Sequence, residues 1–163
     1  MIVYHGSTEI IKNPDVVHSK RYLDFGRGFY VTTFENQAKK WAIRKGMRQE
    51  KTAIVNIYEL SEDWKHFKVL SFEKENEKWL DFVCACRKGQ PLNKEYDIII
   101  GHVADDDVFK TVDMYFRGLW DKKKVLDELR YYKMNNQICI VNQEMLNRFI
   151  TFKRAYEVEN NGR

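Results

Sequence analysis

Seven short runs rich in β-branched and aromatic residues set the first limit on how this chain can fold. They are MIVYH (1–5), GFYVTT (28–33), AIVNIYEL (53–60), FKVLSF (67–72), YDIIIG (96–101), NQICIV (136–141) and TFKRAYE (151–157). Helical patterns separate some of these runs but not all of them, so strands and helices do not alternate strictly. The stretch NIYELSEDWKHFKVL, two such runs around a polar centre, predicts an antiparallel hairpin. The expected fold class is therefore α+β, with a split, mostly antiparallel sheet flanked by helices rather than a doubly wound parallel one.

The helices are read from apolar spacing. In TTFENQAKKWAIRKGM, Thr32 and Glu35 form a capping-box pattern, and Ala38, Trp41 and Ala42 make a buried stripe. In EKENEKWLDFVCACRKG, Trp79, Leu80, Val83 and Cys86 recur at helical spacing, which makes Cys86 a core residue rather than a reactive thiol. In DDDVFKTVDMYFRGLW, Val108, Val112, Tyr115 and Leu119 share a face, with acids in the first turn where the helix dipole favours them. DKKKVLDELRYY predicts a further helix.

A length of 163 residues suits one domain, expected to span 1–157 with a frayed tail at 158–163. Hydrophobic residues make up 44% and aromatics 14%, enough to build a core. The net charge of +4 permits an anionic ligand or nucleic acid and argues for neither. The basic run Lys122 to Lys124 reads as a solvated helix face. YDIIIG, the longest apolar run, is far shorter than a membrane span, and MIVYHG lacks the features of a signal peptide. Cys84, Cys86 and Cys139 form no C-x-x-C pair, and His5, His18, His66 and His102 lie apart without ligand spacing. A disulfide framework and a zinc site are thus disfavoured, and the expectation is a cytoplasmic protein with reduced thiols and no metal. There is no G-x-G-x-x-G after a strand and no G-x-x-x-x-G-K-[ST], so neither a Rossmann site nor a P-loop is available.

Four stretches carry groups suited to chemistry. VYHGS puts His5 at a strand end, where it can donate to a ligand hydroxyl, and Gly6 leaves its own backbone open to a ligand. The bland alternative is a surface histidine at a turn. DFGRGFYVTT requires a tight turn at Gly26 and Gly28 and then points Phe29 and Tyr30 to opposite sides, one to the core and one to a planar ring or to further packing. In NNQICIV, Gln137 offers an amide that both donates and accepts, or simply follows a turn. GHVADDDVF places three acids at a helix start, more than capping needs, so Asp105 or Asp106 is a candidate base or a partner for a cationic transition state. Arg21 and Arg27 suit bidentate contacts to an anionic group or are solvated turn residues.

Taken in order, YHGS, FGRGFYVTT and the strand opening NQICIV resemble the three-motif signature of ADP-ribosyltransferases of the diphtheria-toxin and poly(ADP-ribose) polymerase type. The chain is also similar, along nearly its whole length, to uncharacterised bacterial proteins grouped with that superfamily. These share YHGS, PD, DFGxGFYxT, QAxxWA, YDIIIGxVADD and NNQI, and their genes often lie beside small antitoxin-like proteins. The resemblance implies an NAD-dependent mono-ADP-ribosyltransferase, a toxin component held by an antitoxin and acting on a protein or nucleic-acid acceptor. It implies that His5 holds the adenosine-side ribose, that Gly6 bonds the nicotinamide carboxamide, and that Tyr30 stacks on the nicotinamide ring. Ser7, Arg27, Gly28 and Thr32 lie in the same cofactor-binding motifs. Gln137 stands where the family pattern has a catalytic glutamate, which makes chain elongation unexpected and leaves Asp105 or Asp106 to supply the carboxylate. A weakly active NAD- or nucleotide-binding module and an NAD glycohydrolase are the alternatives.

Overall fold

The computed structural model describes residues 1–19, 23–104, 106–129 and 135–159. In chain order its elements are β1 (Ile2–Ser7), β2 (Phe29–Val31), α1 (Glu35–Gln49), β3 (Ala53–Leu60), β4 (Val69–Ser71), α2 (Glu77–Arg87), a short 3₁₀ helix (Leu92–Glu95), β5 (Ile98–Gly101), α3 (Asp106–Phe116), α4 (Lys122–Leu129), β6 (Gln137–Ile140), α5 (Gln143–Phe149) and β7 (Ile150–Val158). The fold is α+β. One antiparallel sheet has the order β1-β3-β7; a second has the order β2-β6-β5-β4, antiparallel except for the β4–β5 pair.

Alternation along the strands assigns each sheet two faces. Phe29, Val31, Ile98, Ile138 and Ile140 face Val3, Tyr58 and Leu60, and these residues form the core between the sheets. The intervening residues Tyr30, Ile99 and Cys139 face outward onto Trp79, Leu80 and Val83 of α2, Val112 of α3 and Val125 of α4. Behind the first sheet, Ala38 and Ala42 of α1 pack on Val55 and Ile57 of β3. The helix lies this close because β1 carries Gly6: a Cβ there would sit 2.2 Å from the carbonyl oxygen of Ala38 and 2.7 Å from the nitrogen of Ala42.

All seven strand candidates form strands, with narrower limits at β2, β4, β5 and β6. The expected hairpin between β3 and β4 does not form. Both edges of β3 are occupied, by β1 and β7, and β4 pairs in parallel with β5 after a crossover through α2. The capping box is also absent. Phe34 holds the N-cap position of α1 without a side-chain cap bond. Thr32 extends the edge of β2 instead, donating its hydroxyl to Asn136 at 3.0 Å and accepting from the Phe34 N–H at 3.1 Å, while Glu35 accepts from the Tyr156 hydroxyl. Trp41 is only half-buried, and Gly46 joins Ala38 and Ala42 in the buried stripe. Leu119 leaves the buried face: α3 stops at Phe116, Gly118 turns the chain with φ +73°, and Leu119 is 59% exposed. Val158, expected in the tail, still pairs with Ala53. Cys86 is a core residue, and burial pushes its thiol up to about 12.

Candidate functional site

The two sheets touch through one antiparallel bridge, in which Tyr4 and Thr32 exchange N–H···O=C bonds of 2.8 and 3.0 Å. In an antiparallel strand the N–H and C=O of one residue face the same edge, and successive residues face opposite edges. Met1 and Leu60 exchange 2.8 Å bonds across β1 and β3, so odd positions of β1 face β3 and even positions face β2. Gly6 is therefore aimed at β2, where the Tyr4–Thr32 register would set it opposite Tyr30. The strands part at that point. His5 Nδ1 lies 2.6 Å from the Tyr30 carbonyl oxygen and occupies the acceptor that Gly6 would otherwise meet. The N–H and C=O of Gly6 face the resulting opening with no partner among the described residues.

His5 keeps partial exposure but sits in dense surroundings, its ring stacked on Phe29 with centroids 4.6 Å apart and planes inclined by 26°. Burial, opposed by the Tyr30 bond and reinforced by the Lys45 cation, lowers its pKa from 6.5 to about 4. The ring is neutral near pH 7, and a bond to a carbonyl acceptor requires its proton on Nδ1. Nε2 then carries a lone pair. An unprotonated Nε2 can only accept a hydrogen bond, the reverse of the donor role read from the sequence. Lys45 of α1 donates to Ser7 Oγ at 3.3 Å and has no carboxylate partner among the described residues. Nothing in the spacing of α1 marks Lys45 among the other basic residues of that helix.

The opposite wall comes from the start of β6. Extending the Val31–Ile138 pairing by one residue sets Thr32 opposite Gln137, so Thr32 stands between Tyr4 of β1 and Gln137 of β6. Asn136 fastens this corner: its Oδ1 accepts from Thr32 Oγ1 and Thr33 N, both at 3.0 Å, and its backbone oxygen accepts from Gln37 Nε2 at 2.7 Å. Asn135 holds the loop after β5 through the Val103 N–H at 2.8 Å. Gln137 is buried, and its Nε2 donates to Asp24 Oδ2 at 3.0 Å and to the His102 carbonyl at 3.2 Å. Both partners are acceptors, which fixes the amide orientation. Its Oε1 has no partner among the described residues.

Asp24 is the carboxylate that the local sequence does not reveal as part of the site. Its Oδ1 accepts from Arg87 Nε at 2.9 Å and Nη2 at 2.5 Å, and its Oδ2 accepts from Ala104 N–H at 3.0 Å and from Gln137. Asp24 opens the DFGRGFYVTT run, yet its partners at 87, 104 and 137 leave no mark in that run.

The other expected residues divide. Phe29 takes the core side, as expected, and Tyr30 the face that also carries Gln137. The Tyr30 hydroxyl donates to Gly26 O at 2.5 Å and accepts from Phe25 N–H at 3.1 Å, and desolvation raises its pKa well above 10. This hydroxyl braces its own turn. Gly28 makes room for the protein rather than for a ligand, since a Cβ there would lie 2.5 Å from Cys139 Sγ. Thr32 is fully buried and Ser7 1% exposed, their hydroxyls already engaged. Arg27 is exposed on the turn, its carbonyl held by Asn93 Nδ2 at 2.9 Å. Arg21, Asp105 and the side chain of Asp106 lie outside the described residues. Among the described residues no group of three or more His, Cys, Asp or Glu could hold a metal, and no helix is long and apolar enough to cross a membrane.

No curated protein matches the chain. A family model described as "protein of unknown function (DUF3990)" matches residues 1–152. Since that match spans both sheets and every element of the parted seam, the chain belongs to the DUF3990 family of proteins of unknown function.

Proposed function

We propose that this protein is an NAD-dependent mono-ADP-ribosyltransferase that modifies a macromolecular acceptor. The observation that carries the reading is the parted seam, where Gly6 offers an adjacent donor and acceptor on one strand edge. A primary carboxamide presents the complementary pair, so nicotinamide can both donate to the Gly6 carbonyl and accept from its N–H. The unprotonated Nε2 of His5 supplies an acceptor for the adenosine-side ribose hydroxyl, and Gln137 Oε1 one for the nicotinamide-side ribose. Tyr30 adds an aromatic ring on the Gln137 face.

Cleavage of the N-glycosidic bond builds positive charge on the ribose, and a fixed anion in a dry site stabilises it by ~3–4 kcal/mol. The carboxylate beside Gln137 is Asp24, and Arg87 neutralises it. Among the described residues the site therefore orients the ribose without offering it a free negative charge, which favours slow, single transfers. The same feature supports a second reading, an NAD-binding module with little turnover. The resemblance in sequence extends the proposal to a toxin restrained by an antitoxin protein, and the free buried thiols Cys84, Cys86 and Cys139 suit a reducing cytoplasm.

The test is incubation with NAD labelled in its adenylate half, with and without cell lysate, reading nicotinamide release and labelled macromolecule. Transfer predicts both, each lost in His5→Ala. Free ADP-ribose without labelled macromolecule would identify a glycohydrolase. NAD binding by calorimetry without nicotinamide release would establish the binding module. Absence of binding and of release would sink the proposal.

A further inference from the structure

Gln137 is enclosed by a polar cluster whose charges have a fixed order. Arg87 donates two hydrogen bonds to Asp24, at 2.5 and 2.9 Å, and Asp24 in turn accepts from Gln137 Nε2 and the Ala104 N–H, both at 3.0 Å. The side chains of Asp24 and Arg87 are 11% and 13% exposed, and Gln137 as a residue 4%. The guanidinium of Arg87 also lies over the Phe109 ring, 4.4 Å from its centroid, so the cationic end of the ion pair is held by packing as well. Gln137 meets two acceptors, the Asp24 carboxylate and the His102 carbonyl, and only a side chain with an N–H₂ group can satisfy both.

We propose that Asp24, anchored by Arg87, is the positioning residue of the ribose site: it holds the Gln137 amide with Nε2 inward and Oε1 outward, and it excludes a glutamate from position 137. Gln137 is then not an impaired catalytic acid. It is the side chain of that length which the neighbouring carboxylate permits, and that carboxylate, neutralised by Arg87, lies one hydrogen bond away from the ribose-facing group. A glutamate at position 137 would place one carboxylate oxygen about 3 Å from another in a buried cluster, where both cannot ionise together. This inference about Oε1 rests on the NAD-dependent reading; the exclusion of glutamate does not.

The experiment compares the full chain with Gln137→Glu, Asp24→Asn and the double variant Asp24→Asn/Gln137→Glu. Thermal unfolding is followed from pH 5 to pH 8, alongside nicotinamide release from NAD. In Gln137→Glu the crowded carboxyl keeps its proton in the folded state and loses it in the unfolded chain. Stability therefore falls as pH rises above the ordinary carboxyl range. The melting midpoint, relative to the parent, is expected to drop by roughly 5–10 °C between pH 5 and pH 8. In the double variant the amide introduced at position 24 donates to the carboxylate introduced at position 137, and this pH-dependent loss shrinks to what the His102 carbonyl still imposes. A pH-independent loss remains, because the Ala104 N–H then meets an amide nitrogen or loses its acceptor. Nicotinamide release is expected to fall at least tenfold in Gln137→Glu and to recover partly in the double variant. A Gln137→Glu protein with the parent's pH profile of melting, or one that releases nicotinamide faster than the parent, would overturn the inference. If even the parent releases none, the NAD-dependent reading fails, while the melting profiles still decide whether Asp24 and position 137 are coupled.

Discussion

His5 gives the most direct link between the parted seam and a bulk measurement. Its folded pKa of about 4 lies below the ordinary value of 6.5, because the ring is enclosed beside Phe29 and near Lys45. Below pH 6.5 the unfolded chain takes up a proton that the folded protein refuses until about pH 4, so stability falls with acidity across that interval. At ~1.4 kcal/mol for each pH unit, the full interval amounts to roughly 3 kcal/mol, or about 7–14 °C in Tm for a chain of this size. Carboxylates also titrate there, so the informative quantity is the difference from His5→Phe, which keeps a ring for the Phe29 stack and does not titrate. Denaturant unfolding at half-unit steps from about pH 4 to 7 should show the parent losing about 3 kcal/mol more than His5→Phe as pH falls. The variant itself will be less stable near neutrality, since the Tyr30 carbonyl loses its donor. Parallel pH slopes in the two proteins would refute the lowered pKa of the folded His5 ring. If turnover of NAD is present, the contribution of His5 to it should be level above about pH 5 and decline towards pH 4.

Gly6→Ala would drive a Cβ to within 2.2 Å of the Ala38 carbonyl oxygen, backbone that cannot yield cheaply, and should cost about 1–3 kcal/mol in thermal or chemical unfolding. Tyr30→Phe removes the hydroxyl that joins Gly26 O to Phe25 N–H and should cost roughly 1–3 kcal/mol of stability, read by unfolding; if the proposed turnover of NAD is present, its KM should stay nearly unchanged in steady-state kinetics. Glu75 lies 2.8 Å from His102 Nδ1 and is the main cause raising the His102 pKa above 6.5. That stabilisation is complete below 6.5 and lost as pH rises through the folded pKa, so Glu75→Gln should lower stability more at about pH 6 than at about pH 9 in paired melting experiments.

The strands were legible because alternation is a local property. Phe29 and Tyr30 are adjacent, and a strand must send them to opposite faces, whichever sheet it joins. Pairing is not local. The polar centre of NIYELSEDWKHFKVL suits a turn, but whether β4 follows β3 depends on whether β1 and β7 already occupy both edges of β3. The capping box failed for a related reason: Thr32 has the right residue type and spacing, yet its backbone is committed to Tyr4 and its hydroxyl to Asn136. The seven-residue helix α5 is too short to show a period.

The site was legible only in part, and the division follows from how each residue acts. His5, Gly6 and Gln137 stand in short motifs at strand ends, so residue type and position were visible together. Asp24, Arg87 and Lys45 act through partners that are distant in the chain, as in the separation of 113 residues between Asp24 and Gln137. The glycines show how one visible feature can have two causes. Gly6 lacks a Cβ because α1 lies against one side of it, and its backbone is free because His5 occupies the Tyr30 carbonyl on the strand edge. The two causes act in different directions. Packing of α1 alone would demand glycine at position 6 even in a chain that bound nothing, so the residue type by itself says nothing about a ligand. What points to a ligand is the half-buried imidazole that parts β1 from β2: it takes up the one carbonyl opposite Gly6 and leaves a donor and an acceptor on an edge that a continuous sheet would have closed.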